Sequence, residues 1–188
     1  MKNRVLIAFV VVLSTVMFSS CIELGKRNLD VFMLDKDTSL GYNIYKNHKY
    51  GYCFSYPTFL DASMALFADD EARKFESKDG RIKATAFARF NHTGRTEKSI
   101  FNEEKMFLER DGMRITYEFT KEGMVVFSGF TPENKIFYQK IAICKLYSPQ
   151  YRDVRSVIAR VDVVFENDDR VRGEEITELL KKFPFEKR

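Results

Sequence analysis

Between Val157 and Phe165 apolar side chains occupy every second position (Val157, Ala159, Val161, Val163, Phe165), with Arg160 and Asp162 among the positions between them. A repeat of two is the pitch of a β-strand, whose successive side chains point to opposite faces, and a helix would scatter these residues around its axis. This run commits the chain to a sheet that buries one face. A second run, Tyr50, Tyr52, Phe54 and Tyr56, alternates with Gly51, Cys53 and Ser55, and Pro57 ends it by removing a backbone donor.

The rest of the pattern extends the sheet. Lys74–Ser77 and Arg81–Phe90 flank Lys78-Asp79-Gly80, and Asp-Gly supplies the positive φ of a tight hairpin turn. Ala84, Ala86 and Ala88 share a face with Ile82 and Phe90, a row small enough for a helix to approach closely. From about Ser99 the spacing changes: Ile100, Phe101, Phe107 and Leu108 recur seven apart in pairs, the stripe of an amphipathic helix, with Glu103 and Glu104 early and Gly112 past its end. Strands return at Ile115–Thr120, Met124–Phe130 and Ile136–Cys144, joined by short turns, so a meander is expected. Met124–Phe130 is apolar on both faces, which places it near the middle of the sheet. Ile176, Leu179, Leu180 and Phe183 give a terminal helix closed by Pro184. The expected class is α+β, a central antiparallel sheet flanked by helices.

Residues 1–20 read as an address. Lys2 and Arg4 precede an uncharged run, Val5–Phe18, and small residues Ser19, Ser20 and Cys21 follow. About 20 apolar residues are needed to span a bilayer, so this shorter core suits a signal peptide better than a permanent span. The Phe18-Ser19-Ser20-Cys21 run resembles the lipobox of bacterial lipoproteins, which implies diacylglycerol on Cys21, cleavage before it and an acylated new N-terminus. A soluble exported protein cut elsewhere is the alternative. Residues 21–47 are mixed and without sustained period, a tether, and residues 48–188 form one domain. Ile22 after Cys21 is similar to outer-membrane sorting in enteric bacteria, so the expected place is the bacterial cell envelope.

The order of several runs resembles the PsbP-like/Mog-like fold family, which includes an extrinsic photosystem II protein, a yeast Ran-binding protein and many bacterial lipoproteins. The residues that carry it are Tyr50–Pro57, Ser77–Gly80, Val125–Phe130 and Ile136–Lys140, together with the last strand and helix ending at Phe183. The resemblance implies an α-β-α sandwich. Function does not follow from it, because one fold hosts unrelated roles.

Charge argues against nucleic acid as a partner. Once Lys2 and Arg4 leave with the signal, 29 of the 31 basic side chains face 27 acidic ones, close to neutral. Arg89, His92, Arg95 and Lys98 form the best local basic cluster, a candidate partner surface or else a solvated loop and helix start. Cys53 and Cys144 are candidates for a disulfide, with two buried thiols as the alternative. His48 and His92 stand at no ligand spacing, so neither a metal nor a cofactor is expected. Ser128 lies inside an apolar strand rather than at a nucleophile elbow, and Glu103-Glu104 and Glu174-Glu175 suit the first turns of helices. Tyr42, Tyr45, Tyr50 and Tyr52 serve either a partner surface or the core. The leading expectation is a non-catalytic accessory module, held on the membrane by lipid on Cys21 and binding a protein or envelope component. The alternatives are an envelope enzyme using Cys53 or Cys144 and a surface lipoprotein that meets a host.

Overall fold

The computed structural model describes residues 34–35, 41–63 and 72–183; the signal segment, Cys21, most of the expected tether and Pro184 lie outside them. Two antiparallel sheets form. The smaller has the order β1 (Leu34–Asp35), β2 (Tyr42–Lys46), β3 (Cys53–Pro57). The larger runs β4 (Leu60–Ala62), β5 (Ala72–Ser77), β6 (Ile82–Phe90), β10 (Asp153–Phe165), β9 (Ile136–Ser148), β8 (Met124–Phe130), β7 (Arg114–Lys121). With helices α1 (Glu97–Arg110) and α2 (Arg170–Lys181) the class is α+β.

The alternation in β10 explains its central place. Val157, Ala159, Val161 and Val163 are wholly buried, and the strand pairs with β6 on one side and β9 on the other, Ala159 opposite both Ala88 and Ala142. Its odd-numbered residues share a core with Tyr45, Tyr52, Phe54, Phe75, Ile176 and Leu180. On the opposite face Ile158 belongs to a second core with Val125, Phe127, Phe137, Ile141 and the α1 residues Ile100 and Leu108. The helices thus pack on opposite faces, α1 through Ile100, Phe101 and Leu108 and α2 through Ile176 and Leu180, while Phe107 and Leu179 of the expected stripes stay half-buried outside both cores.

Several expectations need correction. The strand Tyr42–Lys46 lies within the segment read as tether and pairs with β3, Tyr45 opposite Phe54; both aromatic rings are buried, which supplies the order that a mixed sequence concealed. The alanine row of β6 meets aromatic rings rather than a helix: Ala84 is paired with Phe75, whose ring lies 4.6 Å from Tyr56 and 5.0 Å from Phe54. Met124–Phe130 is next to the edge, not central, because α1 covers one of its faces and β7 pairs with its outer side. Helix α1 starts at Glu97 on a Thr96–Ser99 capping box, so Glu103 and Glu104 fall in its second turn. There Glu103 pairs with Arg95, and Glu104 lies 2.9 Å from Arg160; burial pushes the Glu104 carboxyl up while Arg160 opposes that shift. Glu174 and Glu175 likewise follow the first turn of α2, and Glu174 pairs with Arg170 at 2.7 Å.

One end of the large sheet is closed by ions. Arg81 reaches Asp169 at 2.7 Å, Arg172 bridges Asp79 at 2.7 Å and Asp169 at 2.6 Å, and Lys135 meets Glu166 at 2.7 Å. These contacts join the start of α2 to the β5–β6 and β8–β9 turns. The Ser77 hydroxyl, then the Arg172 guanidinium, hold the Asp79 carboxyl well below the usual carboxylate range. At the other end of α2 the buried Lys140 ammonium donates to the carbonyls of Leu180 (2.7 Å) and Lys181 (3.2 Å), satisfying acceptors that a helix C-terminus leaves open.

Candidate functional site

At the opposite end of the sheet, strand registers gather four loops: the β9–β10 turn, the β2–β3 turn, the segment leading from β6 into α1, and the β7–β8 turn. Strands β9 and β10 each have 13 residues, a length of about 44 Å, whereas the 14 residues of α1 span about 21 Å. The helix cannot cover the whole strand pair, so apolar residues facing its side of the sheet emerge uncovered near the hairpin tip. Tyr147 and Val154 are such a cross-strand pair, 55% and 64% exposed, and Tyr151 in the turn is 42% exposed.

The tip is held firmly. Arg152 adopts φ 55°, and its N–H donates to the Ser148 carbonyl at 2.8 Å, closing the turn. The wholly buried Ser148 donates its hydroxyl to the Lys49 carbonyl, tying the tip to the β2–β3 turn. In that turn Gly51 has φ 77°, and a Cβ there would lie 2.1 Å from the Tyr147 carbonyl oxygen, so no other residue permits this approach. Arg155 stacks on Tyr151 (4.2 Å) and Phe90 (5.1 Å) while its Nε donates to both Asp153 oxygens, at 2.8 and 3.0 Å. Phe90 in turn touches Tyr50 (4.8 Å) and His92 (5.6 Å).

The basic cluster read from the sequence lies here, with one member otherwise engaged. Arg95 is only 18% exposed in its side chain and pairs with Glu103, while Asn91 grips its backbone at 2.7 and 2.9 Å. Arg89, His92 and Lys98 are exposed. The fold adds Lys145 and Arg152, both exposed, from a hairpin more than forty residues downstream of Lys98. Among the described residues Arg89, Lys98, Lys145 and Arg152 form no ion pair, in contrast to the cations of the opposite end. Sequence reasoning missed Tyr147 and Val154, although parity was the available signal: Tyr147 continues the face of Phe137 and Ile141, and Val154 that of Ile158, past the strand ends expected at Cys144 and Val157.

The remaining candidates have other duties. Cys53 and Cys144 are both thiols, not bridged. Cys53 alternates with the inward Phe54 and is half-buried, whereas Cys144 packs against the core. Burial pushes the Cys144 thiol up to about 12, which leaves almost no thiolate for nucleophilic chemistry near neutral pH. Ser128 donates to the Phe137 carbonyl at 2.9 Å, a strand serine satisfied by its neighbour. Tyr45, Tyr50 and Tyr52 are core, and Tyr42 is half-buried. His48 is exposed in the β2–β3 turn. Among the described residues no cluster of three potential metal ligands occurs and no helix is long and apolar enough to cross a membrane. Compared with known proteins, the chain matches no family model and no curated sequence.

Proposed function

We propose that this chain is a lipid-anchored accessory module of a bacterial cell envelope, a non-catalytic domain that acts by binding. The observation that supports it is the exposed Tyr147–Tyr151–Val154 tip at the same end of the sheet as exposed cations that form no ion pair among the described residues. Large amphipathic side chains on a rigid support suit recognition, since little side-chain freedom is lost on contact. The signal-like run ending at Cys21 supplies the place, with acylation of that cysteine holding the domain at a membrane. A PsbP-like/Mog-like kinship is proposed with it, resting on the order of the strand and turn runs and compatible with helices on both sheet faces.

Two measurements test the reading. Metabolic labelling with a fatty acid is expected to mark the wild type and not Cys21→Ala; an unlabelled wild type removes the anchor. A photoreactive residue at position 151 in intact cells is expected to capture a neighbour that the same group at position 78, at the ion-paired end, does not. Equal capture from both positions would remove the assignment of binding to this end.

A further inference from the structure

We infer that the basic end rests on an anionic lipid surface, with Tyr147, Tyr151 and Val154 at the level of the headgroups and Arg89, Lys98, Lys145 and Arg152 against their phosphates. This deepens the proposed function and rests on Cys21 as the acylated residue. The surface chemistry is the first support. Tyrosines favour the boundary between membrane and water because the ring is apolar and the hydroxyl is not, and an exposed valine beside them adds apolar area. Cations that close no ion pair are the partners that anionic headgroups select, each worth roughly fivefold in binding. The domain as a whole is close to neutral, so this attraction is local and orients the molecule instead of merely concentrating it.

The second support is the direction of the backbone. Leu34 pairs with Tyr45 and Asp35 with Ile44, so β1 runs antiparallel to β2, away from the β2–β3 turn and the basic end. Leu34, the first described residue, therefore lies on the side of the basic end. Residues 22–33 reach at most about 40 Å when fully extended. Placing the ion-paired end on the membrane would require that lead to pass along the sheet first, about 30 Å for a strand the length of β6, leaving it almost taut. Placing the basic end there requires no such extension. A short lead and a complementary surface select the same orientation.

The chain contains no tryptophan, so a single introduced one reports its own position. The acylated full-length mature protein carrying Tyr147→Trp, or Lys78→Trp at the opposite end, would be reconstituted on phosphatidylcholine vesicles with or without phosphatidylglycerol, with brominated lipid as quencher. The expected result is flotation with both vesicles, and strong quenching of the tryptophan at 147 only where phosphatidylglycerol is present, with none at 78. Adding Lys145→Gln should lower the ratio of quenched to unquenched protein roughly fivefold. Flotation with no quenching at 147, or with equal quenching at both positions, overturns the lipid-facing orientation while leaving acylation intact, and the tip is then a face for a protein. Failure to float on either vesicle, with no acyl mass on Cys21, overturns both readings.

Discussion

The two ends of the large sheet are built from similar charged turns and use their charges differently. At one, Arg81, Arg172 and Lys135 each meet a carboxylate at 2.7 Å, and the turns are locked to the start of α2. At the other, Arg89, Lys98, Lys145 and Arg152 form no ion pair among the described residues, and the end also carries the exposed Tyr147, Tyr151 and Val154. Rigidity is common to both ends, but it comes from ion pairs at the first and from Ser148, Gly51 and the stack of Arg155 on Tyr151 at the second. Because backbone contacts and aromatic packing hold the second end, its outer charges are not needed for folding and remain available to an incoming surface.

Substitutions should separate the two ends, beginning with the seam under the basic one. Gly51→Ala introduces a side chain at φ 77° and presses it on the Tyr147 carbonyl. The left-handed backbone costs about 1–2 kcal/mol and the overlap about 1–3 kcal/mol, so a loss of about 3 kcal/mol is expected in urea denaturation. A loss below about 1 kcal/mol would mean that the two turns separate freely and do not make one surface.

Gly173→Ala probes the ion-paired end, since a Cβ there would lie 2.4 Å from the Phe165 ring. Overpacking of about 2 kcal/mol is offset by the gain of about 1 kcal/mol that alanine brings to a helix, for a net loss of about 1 kcal/mol by the same assay. A stabilised variant would show that the ring yields and that the docking of α2 is looser than its contacts imply.

Asp79 sharpens the comparison through pH. Its folded carboxyl is held below the ordinary carboxylate range, so its contribution is present above the unfolded value and is lost as pH falls through the folded one. Asp79→Ala should therefore be less stable than the wild type at pH 7, and the gap should begin to close only below about pH 4. A gap that is constant with pH would mean that the carboxylate charge does not hold this end together. The smallest effect belongs to Lys145→Glu, expected to change stability by less than about 0.5 kcal/mol because the side chain is exposed and meets no partner. Lys135→Glu, which sets a like charge beside Glu166, should cost more; equal costs by denaturation would erase the distinction between the ends.

Strand parity was the legible part of the sequence. Val157–Phe165 and the Asp79-Gly80 hairpin appear where their patterns place them, because each pattern is local and a strand cannot shift by one residue without turning its apolar face outward, whereas of the run Tyr50–Tyr56 only Cys53 onward is strand and Tyr50 and Gly51 belong to the β2–β3 turn. The order of strands was less legible: Met124–Phe130 is apolar on both faces in either a central or a penultimate position, and only the pairing of the edge strand β7 with its outer side distinguishes them. The strand Tyr42–Lys46 was hidden for a similar reason, since its order depends on Phe54 and Phe75, which lie on other strands.

Taken alone, the amino-acid order determined the alternating strands, both amphipathic helices and the signal-like run before Cys21, since each depends on neighbours within one element. Tertiary structure decided which charges find partners. Asp79 lies 93 positions from Arg172, and Lys145 stands 47 positions beyond Lys98; whether such groups neutralise one another or remain in water depends on distances that only the closed sheet sets.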